Sequence, residues 1–279
     1  MRILLLAATV VTGLVLPADA PASASSVCSV FTPTISASSG AVAGTSGDDV
    51  VVVSGSVTQV DTLEGDDVVC LADTTALVTV HTGSGNDEVT AAASSRTSIS
   101  TGAGDDYVNA GRTGVDTGSG DDTIDFFVPY GEPSDLNLGK GDDTIRAGAF
   151  RTAIVDLAAR EITLDGVSSP LHHAEDVEVV ARRVVVEGDG DDNSIRAGGC
   201  RVDLSGGAGN DSLAMVDMSI SGPSHCGTRR AQETGGPGSD QLRGYGGDDL
   251  LVGGPGRDYA YGAGGRDHCV AERRVKCES

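Results

Sequence analysis

The stretch that decides the fold is GGPGSDQLRGYGGDDLLVGGPGRDYAYGAGGRDHC, from Gly235 to Cys269. It contains nine-residue units that place an aspartate at the sixth position and an apolar or small residue at the eighth. The aspartates are Asp240, Asp249, Asp258 and Asp267. Glycine permits positive φ angles and close backbone approach in tight turns, and the eighth residue suits the inward face of a short strand. A turn and a strand therefore alternate, and two units make one coil of 18 residues.

The same acidic turn recurs upstream at a longer period, in TSGDDVV, LEGDDVV, TGSGNDEV, TGAGDDYV, TGSGDDTI and LGKGDDTI. Its aspartates are Asp49, Asp67, Asp87, Asp106, Asp122 and Asp143, spaced by 18, 20, 19, 16 and 21 residues. Short runs of alternating apolar and polar residues flank each turn and predict a strand on either side. The pattern resumes at Asp192 and Asp211. The sequence thus predicts an all-β parallel solenoid with about 18–20 residues per coil.

Between Asp143 and Asp192 the acidic turn is missing, but paired apolar runs continue. These runs are AIVDL, EITL, VEVV and RVVV, and they predict about two further coils without the acidic turn. We therefore expect one continuous solenoid. The alternative is a break into two domains near VSSPLHH, Val167 to His173.

Composition limits both the core and the partners. The 279 residues include 40 Gly, no Trp and 3% aromatic residues, yet 39% are hydrophobic. Such a chain cannot build an aromatic-rich core, and it is too apolar for a disordered acidic tail, so a narrow aliphatic core fits better. The formal net charge of -22 opposes binding to nucleic acid and to anionic lipid and attracts divalent cations.

The N-terminus and the cysteines predict export. Arg2, an apolar run over Ile3–Leu16 and Ala22-Ser23-Ala24 are typical of a signal peptide over residues 1–24; the alternative is an uncleaved N-terminal anchor. Six cysteines in an oxidising compartment favour three disulfides. Because a repeat contacts only its sequence neighbours, we predict neighbour pairing. A zinc site competes, although no CxxC or Cys/His spacing supports it. The predicted pairs are Cys28 with Cys70, Cys200 with Cys226 and Cys269 with Cys277.

These motifs resemble the haemolysin-type calcium-binding (RTX) repeat family, whose nonapeptide is GGxGxDxUx with U a large apolar residue. The last 35 residues of the pattern match closely, and the looser upstream turns, with Thr, Leu or Val for the first glycine, extend the resemblance over roughly Ala41 to Val270. It implies a right-handed parallel β-roll that binds several Ca²⁺ ions in its turns. The expected order is an N-terminal cap (25–40), a degenerate solenoid (41–234), a nonapeptide β-roll (235–270) and a C-terminal cap (271–279).

Electrostatics independently favours a cation in these turns. Strands of adjacent coils lie about 4.8 Å apart, and two carboxylates about 5 Å apart repel by roughly 3 kcal/mol at an effective dielectric near 20. Calcium between successive turns would reverse that sign, taking carboxylate and backbone carbonyl oxygens. We expect Asp240 to share an ion with Asp258, and Asp249 with Asp267. The upstream aspartates would form a single row. The simpler alternatives are that Gly-Asp-Asp is ordinary turn chemistry, or that only the last four turns hold metal.

The function favoured by the sequence is a secreted, non-enzymatic calcium-binding module with a structural or interaction role, folding or stiffening on extracellular calcium. HExxH is absent, and HHAED lacks the histidine required by the inverted zinc motif at Asp176. One alternative is a β-solenoid lyase or epimerase acting on acidic polysaccharide, opposed by few aromatic and basic residues. Another is an ice- or surface-binding solenoid using Thr82, Thr101 and Thr117. The sequence indicates no nucleic-acid partner and no membrane insertion, and names no extracellular partner.

Overall fold

The structure is a computed structural model that describes residues 28–92, 95–110, 113–127, 133–216, 226 and 229–278. The predicted signal peptide lies outside the described residues. Within them, regular structure is β-strand apart from one 3-10 turn, Cys28–Val30. No helix in this part of the chain is long and apolar enough to cross a membrane.

Within the described residues, twenty-five short strands follow one another. They are β1 (Ile35–Ala43), β2 (Val50–Asp61), β3 (Val68–Thr74), β4 (Leu77–Ser84), β5 (Glu88–Ala91), β6 (Arg96–Ala103), β7 (Tyr107–Ala110), β8 (Thr113–Ser119), β9 (Thr123–Phe127), β10 (Leu136–Asn137), β11 (Thr144–Gly148), β12 (Thr152–Asp156), β13 (Glu161–Leu164), β14 (Val167–His172), β15 (Asp176–Val180), β16 (Arg183–Glu187), β17 (Ser194–Gly198), β18 (Arg201–Ser205), β19 (Ser212–Met215), β20 (Arg230–Thr234), β21 (Gln241–Arg243), β22 (Leu250–Val252), β23 (Tyr259–Tyr261), β24 (His268–Val270) and β25 (Arg273–Val275).

The strands wind into a parallel β-solenoid of about 12 turns, which confirms the predicted fold class. Face one stacks β1, β2, β3, β5, β7, β9, β11 and then the odd strands β15 to β25. On face two, the first series of paired strands is the end of β2, then β4, β6, β8, β10 and β14. The second series begins at β12 and continues through the even strands β16 to β24. Most coils therefore contribute one strand to each face; β2 runs across both faces, and the coil after β11 contributes β12 and β14 to face two.

The core is a set of aliphatic columns running along the solenoid axis. Because side chains alternate across a strand, every second residue points inward, and the parallel register stacks these residues from coil to coil. On face one the column that starts at Val51 continues through Val69, Val89, Val108, Ile124, Ile145, Val177, Ile195, Leu213, Leu242 and Ala260. All of these side chains are buried, so a narrow core needs no large aromatic residues.

The coil between Asp143 and Glu175 is where the structure departs from a uniform parallel winding. Strand β13 runs antiparallel between β12 and β14. Arg160 (φ 59°) and Asp165 (φ 51°) supply positive φ angles in the reversing turns. The Asp165 carboxylate accepts hydrogen bonds from the backbone N–H groups of Phe150, Arg151 and Thr152 at 2.8–3.0 Å. The strand stack is nevertheless continuous here, since β11 pairs directly with β15.

Three disulfides tie neighbouring segments, with the predicted pairing. Cys28–Cys70, Cys200–Cys226 and Cys269–Cys277 have Cα–Cα distances of 5.7, 5.3 and 5.8 Å. The first closes the N-terminal end of the core, and the last ties the C-terminal segment to face two. No cysteine in the described residues is free.

One carboxylate interrupts a core column. Glu233 follows Val155, Val186 and Leu204 on face two and precedes Leu251 in the stack. Its side chain is fully buried, and neither carboxylate oxygen makes a hydrogen bond of normal geometry within the described residues, although the backbone at Arg243 and Met215 lies close enough to offset part of the rise in its pKa. Burial, with the nearby Asp249 charge, raises the pKa of Glu233 to about 8. An uncompensated carboxyl at this depth destabilises the fold whenever it is ionised.

Replacing Glu233 with leucine should therefore raise stability. The folded protein holds the Glu233 proton between pH about 4.5 and 8 while the unfolded chain releases it, so this group lowers stability as pH rises. We expect Glu233→Leu at saturating calcium to gain about 2 kcal/mol or more at pH 7.5, and less at pH 5. Urea unfolding at both pH values measures this gain. A loss of stability at pH 7.5 would show that the carboxylate has a stabilising partner.

Candidate metal-binding ladder

The acidic turns converge on one edge of face one. Each turn places one side chain immediately before the first residue of a face-one strand, and the parallel register stacks these side chains into a row that we call the inner ladder. Its members, in order, are Asp49, Asp67, Asp87, Asp106, Asp122, Asp143, Glu175, Asn193, Asp211, Asp240, Asp258 and Glu272. The aspartates among them are buried despite their charge.

One oxygen of each inner-ladder carboxylate is held by the coil before it. The backbone N–H of Asp49 donates to Oδ1 of Asp67 at 2.8 Å, and the N–H of Asp67 donates to Oδ1 of Asp87 at 2.9 Å. The pattern continues to Asp143, whose N–H donates to Glu175. It runs again from Asn193 through Asp258, which donates to Glu272. These bonds fix the row of carboxylates at the spacing of the coils.

The other carboxylate oxygen lacks a partner in most turns. Among the described residues, a buried Oδ2 with no hydrogen bond of normal geometry occurs in Asp67, Asp87, Asp106, Asp122, Asp143, Asp211, Asp240 and Asp258. In the first four of these turns a threonine hydroxyl still lies close enough to lower the pKa of the aspartate. The first turn differs, because the backbone N–H of Thr45 donates to Oδ2 of Asp49 at 2.7 Å. Buried polar atoms are normally satisfied, so a repeated unpaired oxygen indicates a missing proton or cation.

The residue directly before each inner-ladder acid forms a second row, which we call the outer ladder. Its hydrogen bonds run in the opposite direction along the solenoid axis. Oδ1 of Asp48 accepts from the N–H of Asp66, one coil later. The same contact links Asp66 to Asn86, Asn86 to Asp105, Asp105 to Asp121 and Asp121 to Asp142. These outer side chains are exposed. The two acids of the Gly-Asp-Asp motif therefore have different roles: the outer one braces the turn, and the inner one carries the unpaired oxygen.

Asp192 does not occupy the inner ladder, contrary to the prediction. It is exposed and accepts the N–H of Asn210 at 2.6 Å, which is the outer-ladder contact. Asn193 immediately precedes β17, is buried and takes the inner position. The turn GDGDDN, residues 188–193, has the same six-residue length as the turn GGAGND, residues 206–211, but its last glycine stands one position earlier, so alignment on that glycine selects Asp192 instead of Asn193. Asn193 donates to the Glu175 carbonyl at 3.2 Å, so this rung is neutral.

Two glutamates in the inner ladder were missed by the sequence reasoning. Glu175, in HHAED, takes the turn position before β15, and Glu272 takes it before β25. Both accept the N–H of the preceding ladder aspartate through Oε2, at 2.9 Å from Asp143 and 2.8 Å from Asp258. Neither turn has the Gly-x-Asp motif, but an acid directly before a strand was a usable signal.

A second, shorter row lies at the start of the face-two strands. The N–H of Asp249 donates to Oδ1 of Asp267 at 3.0 Å, and the N–H of Ala231 donates to Oδ1 of Asp249 at 2.7 Å. Ala231 thus ends this row on one side. The structure therefore brings together the predicted pairs, Asp240 with Asp258 on one edge and Asp249 with Asp267 on the other.

The first position of the turn differs between the two halves of the solenoid. In the C-terminal block, a Cβ on Gly235 or Gly253 would overlap Oδ2 of its own turn's aspartate, so only glycine lets the carboxylate fold back over the backbone. Upstream the same position holds threonine, and its hydroxyl donates to the next coil's backbone carbonyl. The hydroxyl donors are Thr62, Thr82, Thr101 and Thr117, at 3.3, 3.2, 3.0 and 2.6 Å from the acceptors.

Without a counterion, the ionised form of the inner-ladder carboxyls is destabilised by burial and by repulsion between neighbouring coils. Burial is the main cause that raises the pKa of Asp87 to about 6, of Asp106 to about 7, of Asp143 to about 7 and of Asp211 to about 6. Neighbouring ladder carboxylates raise these pKa values further. At neutral pH each such group needs either a proton or a cation.

The donor set fits a hard cation. No three His, Cys, Asp or Glu side chains converge on a single point in the described part of the chain. A cation between two rungs would therefore take carboxylate oxygens from two coils and complete its shell with backbone carbonyls or water. Oxygen-only ligation of this kind suits Ca²⁺, which accepts six to eight oxygens in flexible geometry.

These features define a parallel β-solenoid with rows of stacked, incompletely hydrogen-bonded carboxylates along its turns. The family model for the RTX calcium-binding nonapeptide repeat, in four copies, matches residues 98–112 and 234–269. The chain therefore carries RTX calcium-binding repeats, as its motifs indicated. The second matched range contains the pair Asp240 and Asp258 and the pair Asp249 and Asp267, and the first range contains the turn of Asp106. No curated protein gave a significant match to the chain.

The raised pKa values predict the pH dependence of the metal-free protein. Between pH about 4 and 7 the folded state binds more protons than the unfolded chain, so stability falls as pH rises. We expect thermal unfolding of metal-free protein to have a midpoint at pH 5 at least about 5 °C above that at pH 8. Circular dichroism measures the shift. Saturating calcium should reverse this order, and equal metal-free midpoints would contradict the prediction.

Proposed function

We propose that this chain is a secreted, non-enzymatic calcium-binding module, which folds or stiffens when it meets extracellular calcium and then serves as a structural or interaction element. The observation that carries the proposal is the row of buried inner-ladder oxygens without donors. Calcium supplies the missing positive charge, so binding to the folded state stabilises it by mass action.

A non-catalytic role is supported by how the acids are distributed. The inner ladder repeats the same carboxylate arrangement from coil to coil instead of concentrating different groups at one place. General acid–base chemistry uses groups in distinct environments that separate their pKa values. Here burial raises the pKa of Asp87, Asp106 and Asp143 in the same direction for the same reason. A repeated, uniform environment suits repeated binding of one small ligand.

An extracellular location is supported by the disulfides and by calcium availability. Disulfides persist in oxidising compartments, and three of them join neighbouring segments here. Extracellular calcium modules bind with dissociation constants of about 10⁻⁴ to 10⁻³ M. A module of that affinity would remain largely unloaded inside the cell and become loaded outside it.

The first test is a calcium titration of residues 25–279, with disulfides formed and bound metal removed, followed by far-UV circular dichroism. We expect a cooperative gain of β signal at about millimolar calcium. Magnesium should not reproduce it, because that ion demands near-octahedral geometry and dehydrates reluctantly. A complete β spectrum that is indifferent both to calcium and to its removal would refute calcium-dependent folding.

Matched substitutions in one turn test which acid binds the ion. Asp249 lies in the second row, on face two, and Asp248 beside it accepts the backbone N–H and a guanidinium N–H of Arg266. We expect Asp249→Asn to weaken calcium binding about tenfold and to remove about one ion, because the amide keeps the acceptor and loses the charge. Asp248→Asn should change affinity less than about threefold. Isothermal titration calorimetry measures both.

The same pair of substitutions upstream decides whether the threonine turns bind calcium. Asp106 is the inner acid of its turn and Asp105 the outer one. If the upstream row is loaded, Asp106→Asn reduces the number of bound ions and Asp105→Asn does not. Unchanged stoichiometry in both variants would restrict calcium to the glycine-rich turns.

A further inference from the structure

The outer surface of face one changes character at its C-terminal end. Two columns of outward side chains run along β17, β19, β21, β23 and β25. Their members are Ser194, Ser212, Gln241, Tyr259 and Arg273 in one column, and Arg196, Ala214, Arg243, Tyr261 and Val275 in the other. Neither column contains a carboxylate over these five strands, although the whole chain has a net charge of -22.

These columns line a shallow groove of about 660 Å³, within the usual size range of ligand sites. Its lining includes Ser194, Ser212, Gln241, Arg243, Tyr259 and Tyr261. The small side chains of β17 and β19 form its low part, and the tyrosines and Arg243 rise beside it. We call this surface the tyrosine–arginine groove.

The cations of the groove are positioned by aromatic rings. The guanidinium of Arg243 lies over the ring of Tyr261, with Cζ 5.7 Å from the centroid, and that of Arg273 lies over Tyr259 at 5.4 Å. Lys276 approaches the Tyr261 ring at 5.3 Å. A cation over a ring face is attracted by the ring quadrupole, and this attraction holds Arg243 beside Tyr261. The charge of Arg243 therefore stays at the groove.

Arg243 and Arg273 are not neutralised inside the protein. Among the described residues neither has a carboxylate within ion-pair distance, whereas Arg196, at the other end of the groove, bonds Glu178 at 3.2 Å. The two arginines lie two strands apart, about 10 Å along the axis. Arg273 lies beyond the groove lining, in a neighbouring hollow that also contains Asp258 and Glu272, so Arg243 is the anion position of the groove itself.

We propose that the tyrosine–arginine groove binds an acidic polysaccharide, a sugar chain with carboxylates on its units. Arg243 matches a carboxylate, and Ser194, Ser212 and Gln241 offer uncharged donors and acceptors for hydroxyl groups. Tyr259 and Tyr261 offer ring edges to the apolar side of a sugar, because cations lie over their faces. The proposal goes beyond calcium binding and requires no catalysis in the groove.

The overall acidity of the chain does not prevent such binding. The five strands span about 19 Å along the axis, whereas the Debye length is about 8 Å at physiological ionic strength. The acids within that distance are the inner-ladder residues Asp211, Asp240 and Asp258, which directly precede groove residues. Bound calcium neutralises these acids, so an oligosaccharide at the calcium-loaded protein meets the positive charge of Arg243. Long, densely charged nucleic acids would extend over the acidic turns as well and be repelled.

The test is calorimetric titration of the calcium-saturated full chain with a galacturonic acid trisaccharide. The ligand is short, calcium is in excess, and a titration into buffer subtracts calcium binding by the sugar itself. The neutral galactose trisaccharide and triglutamate serve as comparison ligands. We expect binding of the acidic sugar only. No binding, equal binding of the neutral sugar, or equal binding of triglutamate would overturn the proposal.

Substitutions locate the site. We expect Arg243→Ala to weaken binding by about tenfold or more, and Arg243→Lys to restore only part of the loss because lysine lacks the planar fork. Arg201→Ala is the matched control, since Arg201 is an exposed outward residue of β18 on face two. An equal loss in Arg201→Ala would overturn the assignment to the groove. A calcium titration of each variant shows whether the variant still forms the calcium-loaded fold. A loss of sugar binding with unchanged calcium binding is then assigned to the groove.

Discussion

The constraint on which the rest of this structure depends is the stacking of like charges at the spacing of β-strands. A parallel solenoid repeats each turn about 4.8 Å further along its axis, so an acid fixed at one turn position meets its own repeat in the next coil. The N–H of one inner-ladder residue holds one oxygen of the next. Backbone geometry thereby prevents the carboxylates from moving apart, and only a proton or a cation relieves their repulsion.

The local sequence of the turns follows from this constraint. Gly104 adopts a φ of 132°, and a Cβ there would overlap the carbonyl oxygen of Gly85 in the previous coil. The turns can approach closely only where that side chain is absent. Threonine at the first position uses its hydroxyl to join adjacent coils, whereas glycine leaves the space beside the carboxylate open. The two kinds of turn therefore join the same coils by different means.

Period and apolar alternation were enough to predict the solenoid, its coil length, neighbour-paired cysteines and most of the inner ladder. The features that were not predicted depend on strand register and on side-chain burial. The position of Asn193 rather than Asp192 is decided by where β17 begins, and consecutive acids do not reveal which one precedes the strand. The reversal of β13 rests on Arg160 and Asp165 adopting positive φ, which the residue types favour only weakly. In the sequence, Glu233 cannot be distinguished from an exposed strand glutamate. Only the pairing of its strand with the neighbouring coils shows that it faces inward.

The neutral rung at Asn193 separates the inner-ladder acids into two units. On its N-terminal side the acids run from Asp49 to Glu175, and on its C-terminal side from Asp211 to Glu272. Asn193 satisfies its own amide by bonding the Glu175 carbonyl, so it brings no unpaired charge to either unit. Glu175 and Asp211 are separated by two coil spacings, about 10 Å, and buried charges are screened by salt less than exposed ones. After burial itself, the charge of Asp189 helps to raise the pKa of both Glu175 and Asp211. Each coil packs only on its neighbours, so neutralising the C-terminal rows changes the N-terminal row through the charges beside Asn193 and through the shared backbone.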